Sequence, residues 1–311
     1  MSAVREFIAN GPAPEADRRI GLLAAAERDP AQRALRARFA TQMLAEDARE
    51  RTHPLQKTCT VVLVRGLFGA WIPRHFRAPL ERLRAQGWNS AIARTDPAGT
   101  IDANIRALAP QIAQIVAEGR RPLFLAHSKG GLEVLLALAS DPALAAATAG
   151  IVTVQMPRAG SPYLESVFRA AHRASRRPGD TLRESAEGAL LTLAGARAAC
   201  RELDGATLRA IAATLDGDAW PFPWLGVATD TSHPTRSLEL KHARLARIAP
   251  GVPHDGVFYT ADQLWPGARM LLLSGIDHAQ PSVGGLGFAH DRFWCALLAL
   301  LLALAPTGSA A

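Results

Sequence analysis

The residues best suited to chemistry lie in PLFLAHSKGG, residues 122–131, where an apolar run passes through a serine into the helical pattern LEVLLALA. A serine on a tight turn between a buried strand and a helix adopts strained torsions, and small flanking residues let the two elements approach each other. Ala126 and Gly130 are those small residues, and the first amides of the helix would face developing negative charge. The spacing therefore predicts that Ser128 is a nucleophile; the alternative is a serine that merely caps the helix.

A second candidate segment is VVLVRGLFGAW, residues 61–71, in which a buried strand ends in a glycine-containing turn upstream of the serine. Attack of a hydroxyl on a carbonyl creates an oxyanion, which backbone N–H groups stabilise. The segment is either the source of such a donor or a simple connection between a strand and a helix.

Both segments belong to a regular alternation of apolar strands and helical stretches. Strands that are apolar on both faces are typical of a parallel sheet covered by helices on each side. The pattern predicts an α/β fold with a doubly wound, mostly parallel sheet and a helical cap insertion. The predicted strands are 58–64, 89–93, 122–125, 151–155, 224–228 and 269–273, and the predicted helices include 77–86, 101–118 and 131–139.

The same alternation divides the chain into parts. It predicts a catalytic core at 58–160 and 220–311, preceded by an N-terminal helical extension at 1–57 and interrupted by a helical cap or lid at 161–219. The insertion carries long apolar side chains among arginines, which suits a lid over an apolar groove; a fixed structural cap is the alternative. The apolar run at 293–305 falls short of the ~20 residues of a membrane-spanning helix and is interpreted as a buried terminal helix.

Composition narrows the classes of function. With 311 residues, 49% of them hydrophobic, the chain is long enough for one large core. The net charge of +7 does not indicate a nucleic-acid partner, because basic residues are scattered among acidic ones. Three separated cysteines and no CxxC or HExxH pattern predict neither a metal site nor a disulfide framework.

The N-terminus has no secretory signal pattern, which predicts a cytoplasmic protein. Contact of the arginine-bearing cap with anionic lipid surfaces is a further hypothesis, and oligomeric state is not predicted.

Taken together, these segments resemble the bacterial lipase and esterase branch of the α/β-hydrolase superfamily, over roughly residues 58–300. The segment IVTVQMPRAGSP is also similar to the strand and GSP turn that precede the cap in many lipases. The chain departs from the family where Ala126 replaces the usual glycine and where Arg65 stands in place of histidine before Gly66. The resemblance implies hydrolysis of a small-molecule or lipid ester by a Ser-His-Asp triad through an acyl-enzyme, with no metal or organic cofactor.

The resemblance also implies which residues assist the serine. The family places acid and histidine after the nucleophile in that order, which makes His278, at the exit of the last buried strand, the expected base. His290, at the start of the terminal helix, is the alternative base. The oxyanion donors implied by the family are the backbone amides of Lys129, next to the serine, and Leu67, just past Gly66.

Four aspartates are candidates for the acid. Asp255, in VPHDGV, resembles the Asp-Gly turn after the penultimate strand of many lipases and is the expected acid. Asp230, directly after the predicted strand 224–228, is the alternative. Asp277 and Asp291 each adjoin a candidate histidine, and adjacent side chains on an extended segment point apart, so both are poor orienters.

The leading expectation is therefore a serine hydrolase that cleaves carboxylic esters. A thioesterase, an intracellular polyester depolymerase, an amidase or an acyltransferase would use the same apparatus, because the residues that distinguish them belong to the substrate pocket. A non-catalytic scaffold that binds a ligand or partner is the alternative from another class, and its usual sign would be a missing triad residue.

Overall fold

The computed structural model describes residues 15–45, 53–165, 195–215 and 219–304. Its centre is a sheet of six strands in the order β2-β1-β3-β4-β5-β6, and each neighbouring pair is parallel. All six strands lie where the sequence predicts them, with ends that differ by no more than two residues. They are β1 (Cys59–Val64), β2 (Asn89–Ile92), β3 (Arg121–His127), β4 (Gly150–Val154), β5 (Trp224–Asp230) and β6 (Arg269–Ser274).

The helices lie on both faces of the sheet, which explains why β1 and β4 are buried along their whole length. The predicted helices 77–86, 101–118 and 131–139 are present, and α6 begins two residues earlier than its apolar pattern. In chain order the helices are α1 (Glu15–Arg28), α2 (Pro30–Leu44), α3 (Leu55–Thr58), α4 (Arg77–Ala85), α5 (Ile101–Ala117), α6 (Lys129–Ala139), α7 (Pro142–Ala147), α8 (Arg197–Arg201), α9 (Gly205–Leu215), α10 (Glu239–Ile248), α11 (Gln280–Val283) and α12 (His290–Leu304).

Two apolar cores form, one on each face of the sheet. Leu108 of α5 and Leu132 of α6 pack with Phe124 in the first. In the second, Leu83 of α4 packs with Phe293 of α12. Because α6 lies between the sheet and other helices, nine of its eleven residues are buried, so its first turn is held firmly in place.

The N-terminal helices pack directly on this body. Leu22 and Leu23 of α1 join a small core with Leu272 of β6. Arg19 forms a buried ion pair with Asp262 at 2.8 Å, in the short 3₁₀ turn Thr260–Gln263. Helix α1 is therefore fixed beside the loop that follows β5.

The division into extension, core and cap stays a prediction. Most of the predicted cap, 166–194 together with 216–218, lies outside the described residues. Its described parts are residues 161–165, 195–215 and 219. The segment 195–215 holds α8 and α9 and packs against the core through Leu203, between the two helices, and Leu208 of α9. None of the described helices is both long enough and apolar enough to span a bilayer.

Candidate active site

Ser128 lies on the sharp turn that joins β3 to α6. Its backbone has φ 54° and ψ −129°, a combination that side-chain-bearing residues rarely adopt. The turn is held in place because the Ser128 N–H donates to the Val154 carbonyl at 2.9 Å. The side chain accepts no hydrogen bond from the first turn of α6, so the serine is not the cap of that helix. Its hydroxyl is free to serve another purpose.

Glycines around the turn permit an approach that no side chain would allow. A Cβ added to Gly66 would lie 2.9 Å from Cβ of Ser128, and one added to Gly130 would lie 2.5 Å from the Arg65 carbonyl oxygen. The second contact is with backbone, which has no flexible end that can move aside. The spacing of small residues in the sequence thus reflects the contact between the β1 loop and the start of α6.

The hydroxyl of Ser128 faces an imidazole that is itself held by a carboxylate. Nε2 of His278 lies 3.0 Å from Oγ of Ser128, and Nδ1 lies 2.7 Å from Oδ2 of Asp255. The carboxylate accepts a hydrogen bond from Nδ1–H, which leaves Nε2 of the neutral ring as an acceptor for the serine O–H. The structure therefore brings together the three residues expected from the sequence, in the geometry of nucleophile, base and orienting acid.

Asp255 is fully buried, and its carboxylate is surrounded by donors. Oδ1 accepts from the amides of Val257 at 2.8 Å and Phe258 at 2.7 Å, and Oδ2 accepts from Nε2 of Gln263 at 3.1 Å. The Asp255 carbonyl also accepts the backbone N–H of His278 at 2.9 Å. The acid and the base are thus joined twice, once through side chains and once through backbone.

The turn that carries His278 has a reciprocal cap. Oδ1 of Asp277 accepts from the amides of Ala279 and Gln280, both at 2.9 Å, and Oε1 of Gln280 accepts from the Asp277 amide at 2.8 Å. This is the hydrogen-bond pattern of a capping box. Oδ2 of Asp277 also accepts the Thr235 amide at 2.6 Å. Asp277 therefore orders the loop, whereas the imidazole is oriented by Asp255.

His127 forms a second layer behind the imidazole. Its Nε2 lies 2.9 Å from Oε1 of Gln155, and its Nδ1 lies 3.0 Å from Oγ of Ser282. The ring centroids of His127 and His278 are 4.8 Å apart. Burial and the neighbouring His278 hold the pKa of His127 well below its usual value. A neutral ring here avoids charge repulsion when His278 takes up a proton.

The amides expected to bind an oxyanion are close to the serine. Lys129 is the first residue of α6, where a helix N–H has no partner within the helix. Leu67 follows Gly66 in the loop that touches Ser128, and its N–H has no hydrogen-bond partner in the described part of the chain. The next amide, that of Phe68, donates to the Pro97 carbonyl at 2.8 Å, which ties the loop that carries Leu67 to the segment at Pro97.

A cavity of about 240 Å³ opens on these groups. Ser128 and His278 lie in its wall together with His75, whose two ring nitrogens are buried and have no hydrogen-bond partner among the described residues. Most of the remaining wall is apolar, so the cavity suits a hydrocarbon group next to the reacting carbonyl. Its apolar side chains are Leu67, Phe68, Ile72, Leu164, Leu203, Leu238, Val257, Phe258 and Val283.

The structure is similar to solved structures of bacterial esterases and lipases. A metagenomic carboxyl esterase superposes with a TM-score of 0.67 at 19% identity, covering 97% of this chain and 98% of the other. The mature lipase BlEst2 of Bacillus licheniformis gives 0.60 at 18% identity, over 81% of this chain and 95% of the other. The chain has the α/β-hydrolase fold. The predicted fold is confirmed.

A third similar structure of the α/β-hydrolase fold is phospholipase PlaB from Legionella pneumophila. It gives a TM-score of 0.55 at 14% identity, over 78% of this chain and 60% of the other. No protein-family model and no curated protein matches the sequence. At these identities the similarity shows the fold, and the chemistry rests on the site itself.

The alternative residues have other partners than Ser128 and His278. Oδ2 of Asp230 accepts the hydroxyl of Ser274 at 3.1 Å, and burial raises the pKa of the Asp230 carboxyl. His290 begins α12, where its amide donates to the Phe288 carbonyl, and burial lowers its pKa. No described hydrogen bond joins either residue to Ser128 or His278. The described residues also hold no group of three or more His, Cys, Asp or Glu side chains placed to bind a metal ion.

Several supporting residues were not identified from the sequence. Gln155, Gln263 and Ser282 act over long distances in the chain, and no local pattern marks them. The pair Asp277 and Gln280 does have a signal, because D-x-x-Q before a short helix is a capping-box spacing. That signal would have assigned Asp277 to the backbone of its own turn.

Proposed function

We propose that the protein is a serine hydrolase that cleaves carboxylic esters through an acyl-enzyme. Ser128 is the nucleophile, His278 the general base and Asp255 the residue that orients the base. The observation that carries the proposal is the continuous hydrogen-bonded chain from the serine hydroxyl through the imidazole to a buried carboxylate. This chain starts on a strained turn that presents the hydroxyl to a cavity.

Acylation begins when the Ser128 oxygen attacks the ester carbonyl carbon. Nε2 of His278 takes the hydroxyl proton, and the carbonyl oxygen becomes an oxyanion that accepts hydrogen bonds from the amides of Leu67 and Lys129. When the tetrahedral intermediate collapses, the imidazolium gives its proton to the leaving alkoxide. Water then attacks the acyl-enzyme with the same base, and the carboxylic acid leaves.

Asp255 stabilises the charge that His278 carries between these steps. Its carboxylate is held by the Val257 and Phe258 amides and by Gln263, so the imidazolium forms next to a fixed negative charge. The neutral ring of His127 adds no opposing charge. The surroundings are therefore organised before substrate binds, which is what makes electrostatic stabilisation effective.

The apolar wall of the cavity supports an ester with a hydrocarbon acyl or alcohol group. Two of its residues, Ile72 and Val283, are also among the exposed large hydrophobic side chains of the protein. An apolar rim around the site suits substrates presented by a lipid surface. The idea that 161–219 forms a lid remains a proposal, since 166–194 lies outside the described residues.

The test is hydrolysis of p-nitrophenyl esters from acetyl to palmitoyl by the wild type and Ser128→Ala. We expect the alanine variant to lose at least about 10⁴-fold in kcat/KM, because a nucleophile has no substitute in this mechanism. A fluorophosphonate should label the wild type at Ser128. Ser140→Ala is the matched control, since the Ser140 hydroxyl donates to the nearby Ala137 carbonyl.

The outcomes of this test distinguish the alternative functions from one another. A thioesterase or acyltransferase would be labelled at Ser128 but would turn over p-nitrophenyl esters poorly. A scaffold without activity would be neither labelled nor catalytic, and that result would overturn the proposal.

A further inference from the structure

The lysine that follows the nucleophile is fully buried and belongs to a polar cluster outside the triad. The side chain of Lys129 is 1% exposed, and that of Glu133, one turn later in α6, is 2% exposed. Nζ of Lys129 donates to Glu133 and, at 2.9 Å, to the Gly99 carbonyl. Lysine is almost never buried this fully without a partner, so the two contacts account for its position.

Glu133 connects this ion pair to a second element. Its Oε1 accepts from Nδ2 of Asn104 in α5 at 2.7 Å. The Asn104 side chain in turn forms two hydrogen bonds with the backbone of Asp96. Its Oδ1 accepts from the Asp96 amide at 2.9 Å, and its Nδ2 donates to the Asp96 carbonyl at 3.1 Å. Burial raises the pKa of the Glu133 carboxyl, and the charge of Lys129 acts in the opposite direction.

All these contacts converge on residues 96–100, called loop 96–100 below, which are the last part of the connection from β2 to α5. The loop is tight, because a Cβ added to Gly99 would lie 2.8 Å from Oδ1 of Asn104 and from Cβ of Asp96. On its other side the Pro97 carbonyl accepts the Phe68 amide at 2.8 Å. Phe68 directly follows Leu67, so the loop touches both segments that supply the proposed oxyanion donors.

Filling space with a buried ion pair costs free energy, because both charges lose their contact with water. Replacing one by apolar side chains of similar volume is often neutral or stabilising, because the desolvation of two charges offsets most of their attraction. An apolar side chain at 129 would fill the volume but would donate nothing to Gly99. The ion pair therefore has a geometric consequence that packing alone does not supply.

We propose that the side chain of Lys129 is a positioning residue that, through Gly99 and Pro97, sets the spacing between the backbone amides of Leu67 and Lys129. The proposal rests on the proposed function, since it assigns a role within the same oxyanion site. One residue then has two parts in the reaction: its amide binds the oxyanion, and its ammonium fixes the loop behind the second donor. Glu133 and Asn104 hold the ammonium and the loop in register.

The test uses a trifluoromethyl ketone inhibitor beside ester turnover. Oγ of Ser128 adds to the ketone carbon, the hydroxyl proton passes to His278, and the ketone oxygen becomes an oxyanion like that of the intermediate. The main variant is the double substitution Lys129→Met with Glu133→Met, which removes both charges together. A misplaced donor should lower kcat and ketone affinity by about 10- to 100-fold in parallel, with KM within about threefold of wild type.

Leu135→Ala is the matched control for damage to α6. Leu135 is fully buried in the same helix and belongs to the first apolar core, which includes none of the residues 96–100. Its truncation should lower Tm while kcat, counted per serine that the fluorophosphonate labels, stays at the wild-type value. The lysine variant should show the opposite pattern, with a small change in Tm and a large change in ketone affinity.

If the double variant keeps the wild-type kcat and ketone affinity, the ion pair is only structural and the proposal is wrong. If that variant does not fold, Asn104→Ala takes its place: parallel losses of kcat and ketone affinity support the proposal, and unchanged values overturn it. A wild type that is labelled at Ser128 but cleaves no ester would contradict only the substrate class, because the ketone comparison still tests the lysine. A wild type that is neither labelled nor inhibited would overturn both proposals.

Discussion

The two halves of the site are held by different forces. The nucleophile arm, formed by β3, the turn at Ser128 and α6, is fixed by close packing between backbone segments, as at Gly66 and Gly130. The base arm, formed by the segments 231–263 and 275–280, is fixed by hydrogen bonds that nearby amides donate to the side chains of Asp255 and Asp277. Steric contact fixes the position of the nucleophile arm, and hydrogen bonds to carboxylates fix the position of the base arm.

The difference explains how each arm responds to change. An added methyl group has nowhere to go at Gly130 in the nucleophile arm, because it would meet the backbone of Val64 and Arg65. In the base arm the volumes are less critical, but each carboxylate must remain an acceptor for several N–H groups. A substitution that alters charge without shape should therefore harm the base arm most, and one that alters shape without charge should harm the nucleophile arm.

The largest effect is expected from Asp255→Asn. The shape is nearly unchanged, but an amide cannot both hold the Nδ1 proton of His278 and accept from the surrounding amides, so the tautomer and the imidazolium are lost together. We expect kcat/KM on a p-nitrophenyl ester to fall by about 10³-fold or more.

Asp230→Asn is the matched control for that substitution, because Asp230 is a partly buried carboxylate whose described side-chain bond is to Ser274. It should change kcat/KM by no more than a few fold. A larger loss for Asp230→Asn than for Asp255→Asn would reassign the acid.

Gly130→Ala should give the next largest effect, through shape alone. The new Cβ would lie 2.5 Å from the Arg65 carbonyl oxygen and 3.0 Å from that of Val64, so the start of α6 must move away from β1. We expect a loss of about 100-fold in kcat/KM and of about 2 kcal/mol in the free energy of unfolding, measured by urea denaturation.

Gly205→Ala provides the comparison for Gly130→Ala, since its added Cβ meets only the ends of two side chains, Arg209 at 3.0 Å and Glu165 at 3.4 Å. That variant should keep nearly full activity and stability. Equal losses in the two alanine variants would mean that the turn at Ser128 is no more tightly packed than the first residue of α9.

The nucleophile arm is also the part of the site that the sequence predicts best. Strand, turn and helix are neighbours in the chain, so the apolar run, the serine and the small residues at 126 and 130 appear in one short segment. The six strands are predicted equally well, because a strand that is buried on both faces is a continuous apolar run in the sequence. The pattern predicts this arm well because the residues that pack against each other there are close together in the sequence.

The base arm was predicted only through the family resemblance. Asp255 lies 25 residues beyond the end of β5, and its partner Gln263 has no pattern that sets it apart from other glutamines. Helix α10 was not predicted because a single residue, Leu245, is buried in it, which leaves no apolar periodicity. Helix α7 was missed although Asp141 before Pro142 is a start signal for a helix.

The smallest predicted effect concerns the acid stability of the nucleophile arm. Its packing encloses His75, and burial, followed by the charge of Arg65, lowers the pKa of His75 to about 3. An unfolded histidine titrates near 6.5. The stability due to neutral His75 is therefore complete above about pH 6.5 and is lost progressively as the pH falls towards 3, because only the unfolded chain takes up the proton.

Between pH 7 and pH 5 this loss amounts to at most about 2 kcal/mol. His75→Leu should remove it, so the fall in Tm from pH 7 to pH 5 should be smaller by a few degrees than in the wild type, about 2–4 °C per kcal/mol. Leu83→Ala, a truncation of a fully buried residue with no titrating group, should lower Tm equally at both pH values. An unchanged pH slope in His75→Leu would mean that the acid sensitivity arises elsewhere, for which buried His254, with a pKa lowered to about 4 in the base arm, is the next residue to replace.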